Sequence, residues 1–336
     1  MIEEQMDLID KQKTIAVLTS GGDAPGMNTA IRAVVRSALY KNMCVLGVRR
    51  GYAGLLAKDV VKLNLRSVSD CLHRGGTVLY SARCPEFQSE EGVEKAKEIC
   101  KEIGIDGLVV IGGDGSFRGA RDLSLKGIPC IGLPGTIDND IASSDYTIGF
   151  DTAVNTVMDM VDKLRDTSQS HDRCTLVEVM GRRCGDIALH SGIACGAVAI
   201  LLPEVPFTVD EVIKKMQRTL NTGKKHFIII VAEGVTNKGD VGSIHDIARE
   251  IEEKTGVESR ATVLGHVQRG GAPTARERVL SSEMGYHAVE LLEKGIGNRV
   301  VVSHDNKIVD FDILEALNMK KEFNRRLYDI ADAISI

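Results

Sequence analysis

The chain has 336 residues, of which 43% are hydrophobic and 26% are charged, and it carries a formal net charge of −5. This length allows two domains, and the composition is ordinary for a globular protein in water. The negative charge and the absence of Trp argue against a nucleic-acid-binding surface.

Short apolar runs alternate along the chain with amphipathic stretches. The apolar runs predict strands that are buried on both faces, at residues 14–19, 107–111, 130–133, 174–179, 197–202 and 227–232. The amphipathic stretches predict helices at residues 28–40, 92–103, 150–164 and 210–220. Thr208 and Glu211 have the spacing of a capping box before the last helix. This alternation predicts an α/β protein with doubly wound parallel sheets.

Other features indicate the compartment and the surroundings. The eight cysteines contain no Cys-x-x-Cys pair, which predicts reduced structural thiols. Residues 1–13 are acidic and lack an apolar core, and no apolar run reaches membrane-spanning length. We therefore expect a cytoplasmic protein with no membrane partner. The polar residues 236–242 predict an exposed loop.

Adjacent glycines follow the first predicted strand, in residues 19–28 (TSGGDAPGMN). Glycines let backbone N–H groups approach an anion closely, and the N-terminus of the next helix adds a favourable dipole. A tight turn without a ligand would have the same sequence, and the motif alone leaves both interpretations open. Its spacing is neither that of a dinucleotide fingerprint nor that of a Walker A loop.

A second glycine motif, residues 111–116 (IGGDGS), follows another predicted strand. Asp114 lies between glycines at the end of the strand, where a carboxylate can hold Mg²⁺ beside bound phosphates. The alternative is that Asp114 only caps the next helix. We expect Ser116 to supply that cap, with the helix starting near it.

A third motif, residues 134–140 (PGTIDND), places two carboxylates after a strand. Asp138 and Asp140 are two residues apart in a segment that we expect to be extended, so that their side chains project the same way. One could take a proton from a substrate hydroxyl while the other orients it or the metal shell. A cluster of Asx-turns in a surface loop is the alternative. Taken together, the three motifs predict phosphoryl transfer.

Two further segments contain cations suited to phosphate, residues 180–182 (MGR) and residues 265–271 (GHVQRGG). The guanidinium groups of Arg182 and Arg269 can each form paired N–H bonds to a phosphate, and His266 adds a donor. Taken singly, each arginine could instead be a solvated surface charge, and His266 could be a structural histidine.

With these five segments the chain resembles the bacterial-type ATP-dependent phosphofructokinases over residues 14–317. The resemblance implies two doubly wound, Rossmann-like three-layer domains with the active site in the cleft between them. Residues 1–149 and about 268–318 would form the ATP-binding domain, and residues 150–267 and about 319–336 the sugar-phosphate domain. It also implies transfer of the γ-phosphate of MgATP to the 1-hydroxyl of fructose 6-phosphate.

The resemblance further implies roles for individual residues. Asp138 matches the base for the 1-hydroxyl, and Arg83, Thr136 and Arg182 match other catalytic positions. The ATP-binding positions are Gly22, Arg83, Cys84, Gly113, Asp114, Gly115 and Ser116, with Asp114 as the magnesium ligand. The sugar-phosphate positions are Thr136, Ile137, Asp138, Arg173, Met180, Gly181, Arg182, Glu233, Arg260, His266, Val267, Gln268 and Arg269.

Two of these arginines imply an assembly. Arg173 and Arg260 match arginines that reach the 6-phosphate from a neighbouring subunit. The resemblance therefore implies a homo-oligomer, which in this family is typically a tetramer.

Regulated members of the family bind an anionic effector between subunits, and this chain matches part of that site. Val198 stands where an acidic residue is usual, and Leu65 and Thr222 stand where basic residues are usual, so we expect weak or absent activation by MgADP. Arg32 and Arg36 could alternatively form a solvated helix face. The matching effector positions are Arg32, Arg36, Arg165, Lys224, Lys225 and His226.

Other functions compete with this interpretation. Pyrophosphate-dependent phosphofructokinases share the pattern but generally carry Asp and Lys where this chain has Gly115 and Gly135. Since side chains there would fill the space of the α-phosphate, the glycines favour ATP. NAD kinases and lipid kinases share only the Gly-Gly-Asp-Gly loop. A non-catalytic sugar-phosphate sensor would be expected to lack one of the key acids or arginines.

Overall fold

The computed structural model describes residues 12–236 and 242–335. Its strands are β1 (Thr14–Ser20), β2 (Cys44–Val48), β3 (Val60–Leu63), β4 (Gly107–Gly112), β5 (Cys130–Thr136), β6 (Ile148–Gly149), β7 (Cys174–Val179), β8 (Ala199–Leu201), β9 (Phe227–Ala232), β10 (Ser259–Val263), β11 (Arg299–His304) and β12 (Lys307–Asp312).

The α-helices are α1 (Met27–Tyr40), α2 (Gly51–Leu56), α3 (Glu90–Ile103), α4 (Asp114–Leu125), α5 (Phe150–Ser170), α6 (Asp186–Ala194), α7 (Val209–Leu220), α8 (Glu233–Thr236), α9 (Ile244–Thr255), α10 (Ala275–Glu293), α11 (Ile313–Asn318) and α12 (Arg325–Ile334). Short 3₁₀ helices lie at Pro85–Gln88 and Gly265–Arg269.

The first sheet has the strand order β12-β11-β5-β4-β1-β2-β3, and β6 pairs with the end of β5. The inner strands pair in parallel, whereas the edge strands β12 and β3 run antiparallel. Side chains along β1 alternate between two cores, because Ala16 and Leu18 pack in one and Ile15 and Val17 in the other. Helices therefore cover both faces, with α2, α3, α4 and α11 on one and α1 and α10 on the other.

The second sheet has the strand order β10-β7-β9-β8, and its strands pair in parallel. Every residue of β9 is buried, as expected for an apolar strand in a sheet that helices cover. Helices α5, α6 and α9 pack against the strands of this sheet, and α7 packs beside α9. The predicted α/β class with two doubly wound units is confirmed.

The chain crosses between the two sheets. It leaves the first sheet through α5, returns after β10 through α10, and leaves again after α11, where α12 packs against α6. Strands of the first sheet come from residues 14–149 and 299–312, and strands of the second from residues 174–263. The division into an ATP-binding and a sugar-phosphate domain stays a prediction about function.

The structure also tests the predicted local features. Strands β7 and β9 have the predicted bounds, and Thr208 and Glu211 form the predicted capping box. The prediction that Ser116 caps a helix is wrong, because α4 already begins at Asp114. Residues 237–241 of the predicted loop, and residues 1–11, lie outside the described part of the chain.

The eight cysteines are all free, and six of them are buried. Burial raises the pKa of the Cys130 thiol to about 12. The prediction of reduced structural thiols agrees with both observations. Among the described residues, none of the helices is both long and apolar enough to span a membrane.

Candidate active site

The three glycine motifs end neighbouring strands of the first sheet. Strand β4 lies between β1 and β5, and the register places Ser20 beside Gly112 and Gly112 beside Pro134. Because these strands are parallel, their carboxyl ends lie at one edge of the sheet. The motifs predicted from separate parts of the sequence are therefore adjacent in space.

The Gly21–Gly22 loop after β1 is fixed by side chains from two directions. Ser81 Oγ donates to the Gly21 carbonyl at 2.5 Å, which ties the segment carrying Arg83 and Cys84 to this loop. From the 3₁₀ helix, Arg269 Nη1 donates to the Asp23 carbonyl at 3.2 Å. A Cβ at Gly22 would lie 2.9 Å from Arg269 Nη1, so any side chain there would displace the guanidinium. Arg83, two residues after Ser81, is exposed.

The start of α4 is held against the end of β1. Ser116 Oγ donates to the Ser20 carbonyl at 3.2 Å, and the buried Tyr52 hydroxyl donates to the Ser116 carbonyl at 2.7 Å. Ser116 thus links two motifs instead of capping the helix. Asp114 occupies the first turn of α4, where a carboxylate interacts favourably with the helix dipole, and it pairs with Arg118 at 2.9 Å.

The segment with the two predicted carboxylates, residues 137–140, is a turn, which we call the Asp138 turn. The expected extended conformation is wrong, because residues 137 and 138 form a turn and Asn139 has a φ of 51°, in the left-handed region. Asp138 is only 1% exposed, and its Oδ1 has no hydrogen-bond partner. The surface-loop alternative fails, because the turn is largely buried.

The charge of Asp138 is controlled by its surroundings. Burial, and then the neighbouring carboxylate of Asp140, raise the pKa of Asp138 to about 6. Arg182 and Arg269 act in the opposite direction, and Arg182 Nε lies 3.2 Å from Asp138 Oδ2. Burial also raises the pKa of Asp140. A carboxyl group with a pKa near 6 is well suited to accept a proton near neutral pH.

The residues after β7 come from the second sheet and face the Asp138 turn. Glu233, directly after β9, accepts hydrogen bonds from the Gly181 N–H at 3.1 Å and the Arg182 N–H at 2.6 Å. Gln268 is fully buried and accepts from the Met180 N–H at 3.1 Å. Gln268 therefore positions the Met180 segment, whereas His266 and Val267 of the same 3₁₀ helix are exposed. The edges of both sheets thus meet at one cleft, which also contains Thr136 and the buried Ile137.

Arg173 and Arg260 lie elsewhere. They share one carboxylate, since Arg173 Nε lies 2.7 Å from Glu258 Oε2 and Arg260 Nη2 lies 2.5 Å from Glu258 Oε1. Arg173 precedes β7, whereas Arg182 follows its other end. A strand of that length spans roughly 20 Å. The structure therefore does not bring this pair to the cleft of its own subunit.

The predicted effector residues form two groups. Arg32 and Arg36 of α1 line one open surface cavity together with Arg66, His73 and Arg278. Arg36 Nε is buried without a hydrogen-bond partner, which argues against a solvated helix face.

The second group lies around the start of β9. Arg165 donates to the Cys195 carbonyl. Burial, and then the charge of Arg165, lower the pKa of Lys224, and burial and Lys224 lower the pKa of His226. Lys225 lies 4.0 Å from Asp172. Of the changed positions, Val198 is 2% exposed, Leu65 is 56% exposed, and Thr222 donates to the Thr219 carbonyl.

The donor atoms at the cleft suit magnesium held largely by a nucleotide. The described residues contain no group of three or more His, Cys, Asp or Glu side chains that could hold a metal ion. Asp114 nevertheless presents a half-exposed carboxylate at the start of α4. Mg²⁺ commonly binds one or two carboxylates and completes its shell with phosphate oxygens and water. The carboxylate of Asp114 fits such an ion.

Several residues that build the site were not found by sequence reasoning. Ser81 ties the Arg83 segment to the glycine loop, Glu258 holds two arginines, and Asp186 binds Asn139 of the Asp138 turn. An Asn between two Asp residues is a signal that favours a left-handed backbone conformation, although the sequence analysis expected an extended segment. Ser81 and Asp186 carry no sequence signal because their partners are distant in the chain, and Glu258 lies near Arg260 in the chain but far from Arg173.

The fold is that of a doubly wound α/β protein, and the candidate site is a cleft between its two sheets. A model of the phosphofructokinase family matches residues 14–292. The chain is 57% identical over 324 residues to an ATP-dependent 6-phosphofructokinase of Clostridioides difficile, covering 96% of this chain and 100% of that protein. It is also 57% identical over 323 residues to one of Clostridium tetani, covering 96% and 99%. The chain belongs to the phosphofructokinase family.

Solved structures agree with the fold. Phosphofructokinase from Saccharomyces cerevisiae matches 97% of this chain with a TM-score of 0.86 and 36% identity, and the match covers 48% of the yeast chain. A pyrophosphate-dependent phosphofructokinase from Marinobacter aquaeolei matches 94% of this chain and 86% of its own, with a TM-score of 0.84 and 21% identity. The second likeness supports the fold alone.

Proposed function

We propose that this protein is an ATP-dependent 6-phosphofructokinase, which transfers the γ-phosphate of MgATP to the 1-hydroxyl of fructose 6-phosphate. The observation that carries the proposal is the buried Asp138, which lies beside three glycine-rich strand ends and contacts Arg182 from the other sheet. Relatives named ATP-dependent 6-phosphofructokinase, at 57% identity over almost the whole chain, support the same reaction. The reaction belongs to glycolysis, which implies a cytoplasmic location.

Asp138 acts as the base in this proposal. Its Oδ2 is held by Arg182, and its unpaired Oδ1 accepts the proton of the 1-hydroxyl. The hydroxyl oxygen forms a bond to the γ-phosphorus while the bond to the bridging oxygen breaks, and the products are fructose 1,6-bisphosphate and ADP. With a pKa of about 6, Asp138 is mostly ionised at neutral pH and ready to accept a proton.

The first sheet supplies the nucleotide site. Backbone N–H groups of Gly22 and at the start of α4 bind phosphate oxygens, with Arg83 as a cation and Cys84 beside it. Mg²⁺, when bound, neutralises charge on the transferring phosphoryl group. Asp114 would hold this ion. Positioning and charge neutralisation account for most catalysis of this kind.

The choice of ATP over pyrophosphate rests on Gly115. A Cβ at Gly115 meets no atom within 4 Å, so a side chain there would project into open space beside the phosphates. Gly135 has a different reason to be glycine. A Cβ there would lie 2.9 Å from Ile111 Cγ2 and 3.0 Å from Met27 Cε, which are core atoms. Of the two glycines, therefore, only Gly115 bears directly on the choice of donor. Pyrophosphate is the alternative donor that a comparison of donors must exclude.

The second sheet supplies the sugar-phosphate site. Met180, Gly181, Arg182 and Glu233 hold the sugar, and His266 and Arg269 bind its 6-phosphate. Arg173 and Arg260 reach the 6-phosphate of a neighbouring subunit. Their position at the opposite end of β7 from Arg182 supports this role, because they are too far from the cleft of their own subunit. The proposed assembly is a homotetramer.

The cavity lined by Arg32 and Arg36 is the proposed site of an anionic effector. Arg66, Arg278 and Asp70 line it as well, and the two arginines outweigh the one carboxylate, so the cavity has more positive charge than the matched positions alone supply. Val198 does not line this cavity, but the family resemblance places it in the same site between subunits, and a valine cannot bind a metal ion. An anion without a bound metal is therefore the better fit.

The proposed function is tested by incubating the purified protein with ATP, fructose 6-phosphate and magnesium and measuring fructose 1,6-bisphosphate and ADP. The two products are expected in equal amounts, and neither without magnesium. ADP release without phosphorylated sugar would refute the proposal.

A further inference from the structure

The Asp138 turn is held by a residue that the proposed reaction does not use. Asn139, between the two carboxylates, is 2% exposed. Its amide donates to Asp186 Oδ2 at 2.8 Å, and its side-chain carbonyl accepts from the Thr147 N–H at 3.1 Å. Asn139 has a left-handed backbone conformation, which is strained for a residue other than glycine and is stabilised here by these hydrogen bonds. The bonds therefore fix the direction in which the turn presents Asp138.

The carboxylate of Asp186 is shared with a lysine from the end of the chain. Lys321 Nζ lies 3.2 Å from the same Oδ2 that accepts the Asn139 amide. The side chains of Asp186 and Lys321 are only 15% and 29% exposed, so solvent shields the pair less than a surface ion pair. Without a cation nearby, Asp186 would add negative charge beside a turn that already carries two carboxylates.

Lys321 lies in the segment between α11 and α12, residues 319–324, which we call the crossing segment. On one side of it, α11 packs against α4, the helix that begins with Asp114. On the other side, α12 packs against α6, and Asp332 of α12 forms an ion pair with Lys215. The place of Lys321 therefore depends on both units that border the cleft.

We propose that Asp186 and Lys321 are positioning residues for phosphoryl transfer. Lys321 holds the carboxylate of Asp186, and that carboxylate holds Asn139. The turn then keeps Asp138 and Asp140 in the orientation that transfer requires. This inference rests on the proposed function, because it assigns a role within that reaction.

The charges around the turn make the inference measurable. Burial is the main cause that raises the pKa of Asp140, and Lys321 acts against it. Asp140 in turn raises the pKa of Asp138. Other charged groups that act on these carboxylates are Arg182 before α6, Arg269 in the 3₁₀ helix, Asp114 on α4 and Glu233 on α8. Loss of Lys321 should therefore move the titration of the turn to higher pH.

The test compares Lys321→Met with Lys321→Arg, and with Lys320→Met as the matched control at an exposed neighbouring lysine. The acid limb of kcat/KM for Lys321→Met should move upward by roughly half a pH unit, the size expected for a partly exposed ion pair. Lys321→Arg should restore the wild-type profile, and Lys320→Met should leave it unchanged. Asp186→Ala should lower kcat by about tenfold with little change in KM, because the Asn139 amide would keep only the Asp145 carbonyl as an acceptor, at 3.2 Å.

Carboxyl titrations by NMR with labelled aspartate provide a readout that does not depend on activity. The inference requires the Asp140 resonance of Lys321→Met to titrate at higher pH than that of the wild type. Superimposed titrations, or an equal shift in Lys320→Met, would overturn it. A wild-type protein without kinase activity would refute the proposed function, and the titrations would still decide whether Lys321 acts on the turn.

Discussion

Replacement of Asp138 by Asn tests the proposed base directly. The change keeps the size of the side chain and an oxygen for Arg182, but it removes the group that accepts the proton. Loss of a positioned base typically lowers the rate by about 10²–10⁴-fold, which corresponds to about 3–5 kcal/mol of transition-state stabilisation. We therefore expect kcat to fall by that factor while KM for fructose 6-phosphate changes much less.

The pH dependence of the rate gives a second, independent test of Asp138 as the base. Since the pKa of Asp138 is raised from 3.8 to about 6, the wild-type rate should fall about fivefold between pH 6 and pH 5. The substrate phosphate also titrates near pH 6 in roughly the same range. The ratio of the wild-type rate to the Asp138→Asn rate at each pH cancels that contribution, and it should fall toward low pH.

The assay is a coupled measurement of ADP release at saturating MgATP over a range of fructose 6-phosphate concentrations and pH. Asp305→Asn is the matched control, because the Asp305 side chain is 88% exposed. Thermal unfolding confirms that each variant is folded. A folded Asp138→Asn protein with near-normal kcat, or a rate ratio that does not change with pH, would refute the assignment.

Further predictions concern a buried acid, the assembly and the effector. Glu277 is 1% exposed with an unpaired Oε1, and burial raises its pKa from 4.5 to about 7. Because the folded pKa is raised, the protonated Glu277 contributes fully to the free energy of unfolding below pH 4.5. That contribution, about 3 kcal/mol, is lost as the pH rises through about 7. Glu277→Gln should raise Tm by roughly 4 °C at pH 8 and by less at pH 5.5, and equal shifts would contradict this. Asp138→Asn and Arg260→Ala should each be weak alone, whereas co-assembled hybrids should exceed the average of the two parents if Arg260 acts across an interface. ADP, titrated at sub-saturating fructose 6-phosphate, should activate weakly or not at all, and strong activation at micromolar concentrations would show an intact MgADP site.

The strand ends could be predicted because each one follows an uninterrupted apolar run. A parallel strand covered on both faces must be apolar, so β4, β7 and β9 can be predicted from their apolar runs. Glycines and acids directly after such runs then mark the edge of the sheet where ligands bind. The roles of individual residues were inferred from the family resemblance. The match to the family model confirms that the chain belongs to that family.

Other features depended on contacts that periodicity does not encode. Asn139 and Asp186 are 47 residues apart in the chain, and Lys321 lies much further along it. Local sequence patterns therefore could not predict that these three side chains are in contact. Gly135 illustrates a second limit. Sequence comparison favoured a role beside the phosphates, whereas the structure shows core atoms in the space of its Cβ.

The most direct test of the central claim compares phosphoryl donors. The purified protein is given fructose 6-phosphate and magnesium with either ATP or pyrophosphate, and kcat/KM is measured for each donor. We predict magnesium-dependent turnover with ATP and little or none with pyrophosphate, because Gly115 leaves open space beside the bound phosphates. A kcat/KM for pyrophosphate equal to or above that for ATP would contradict the account.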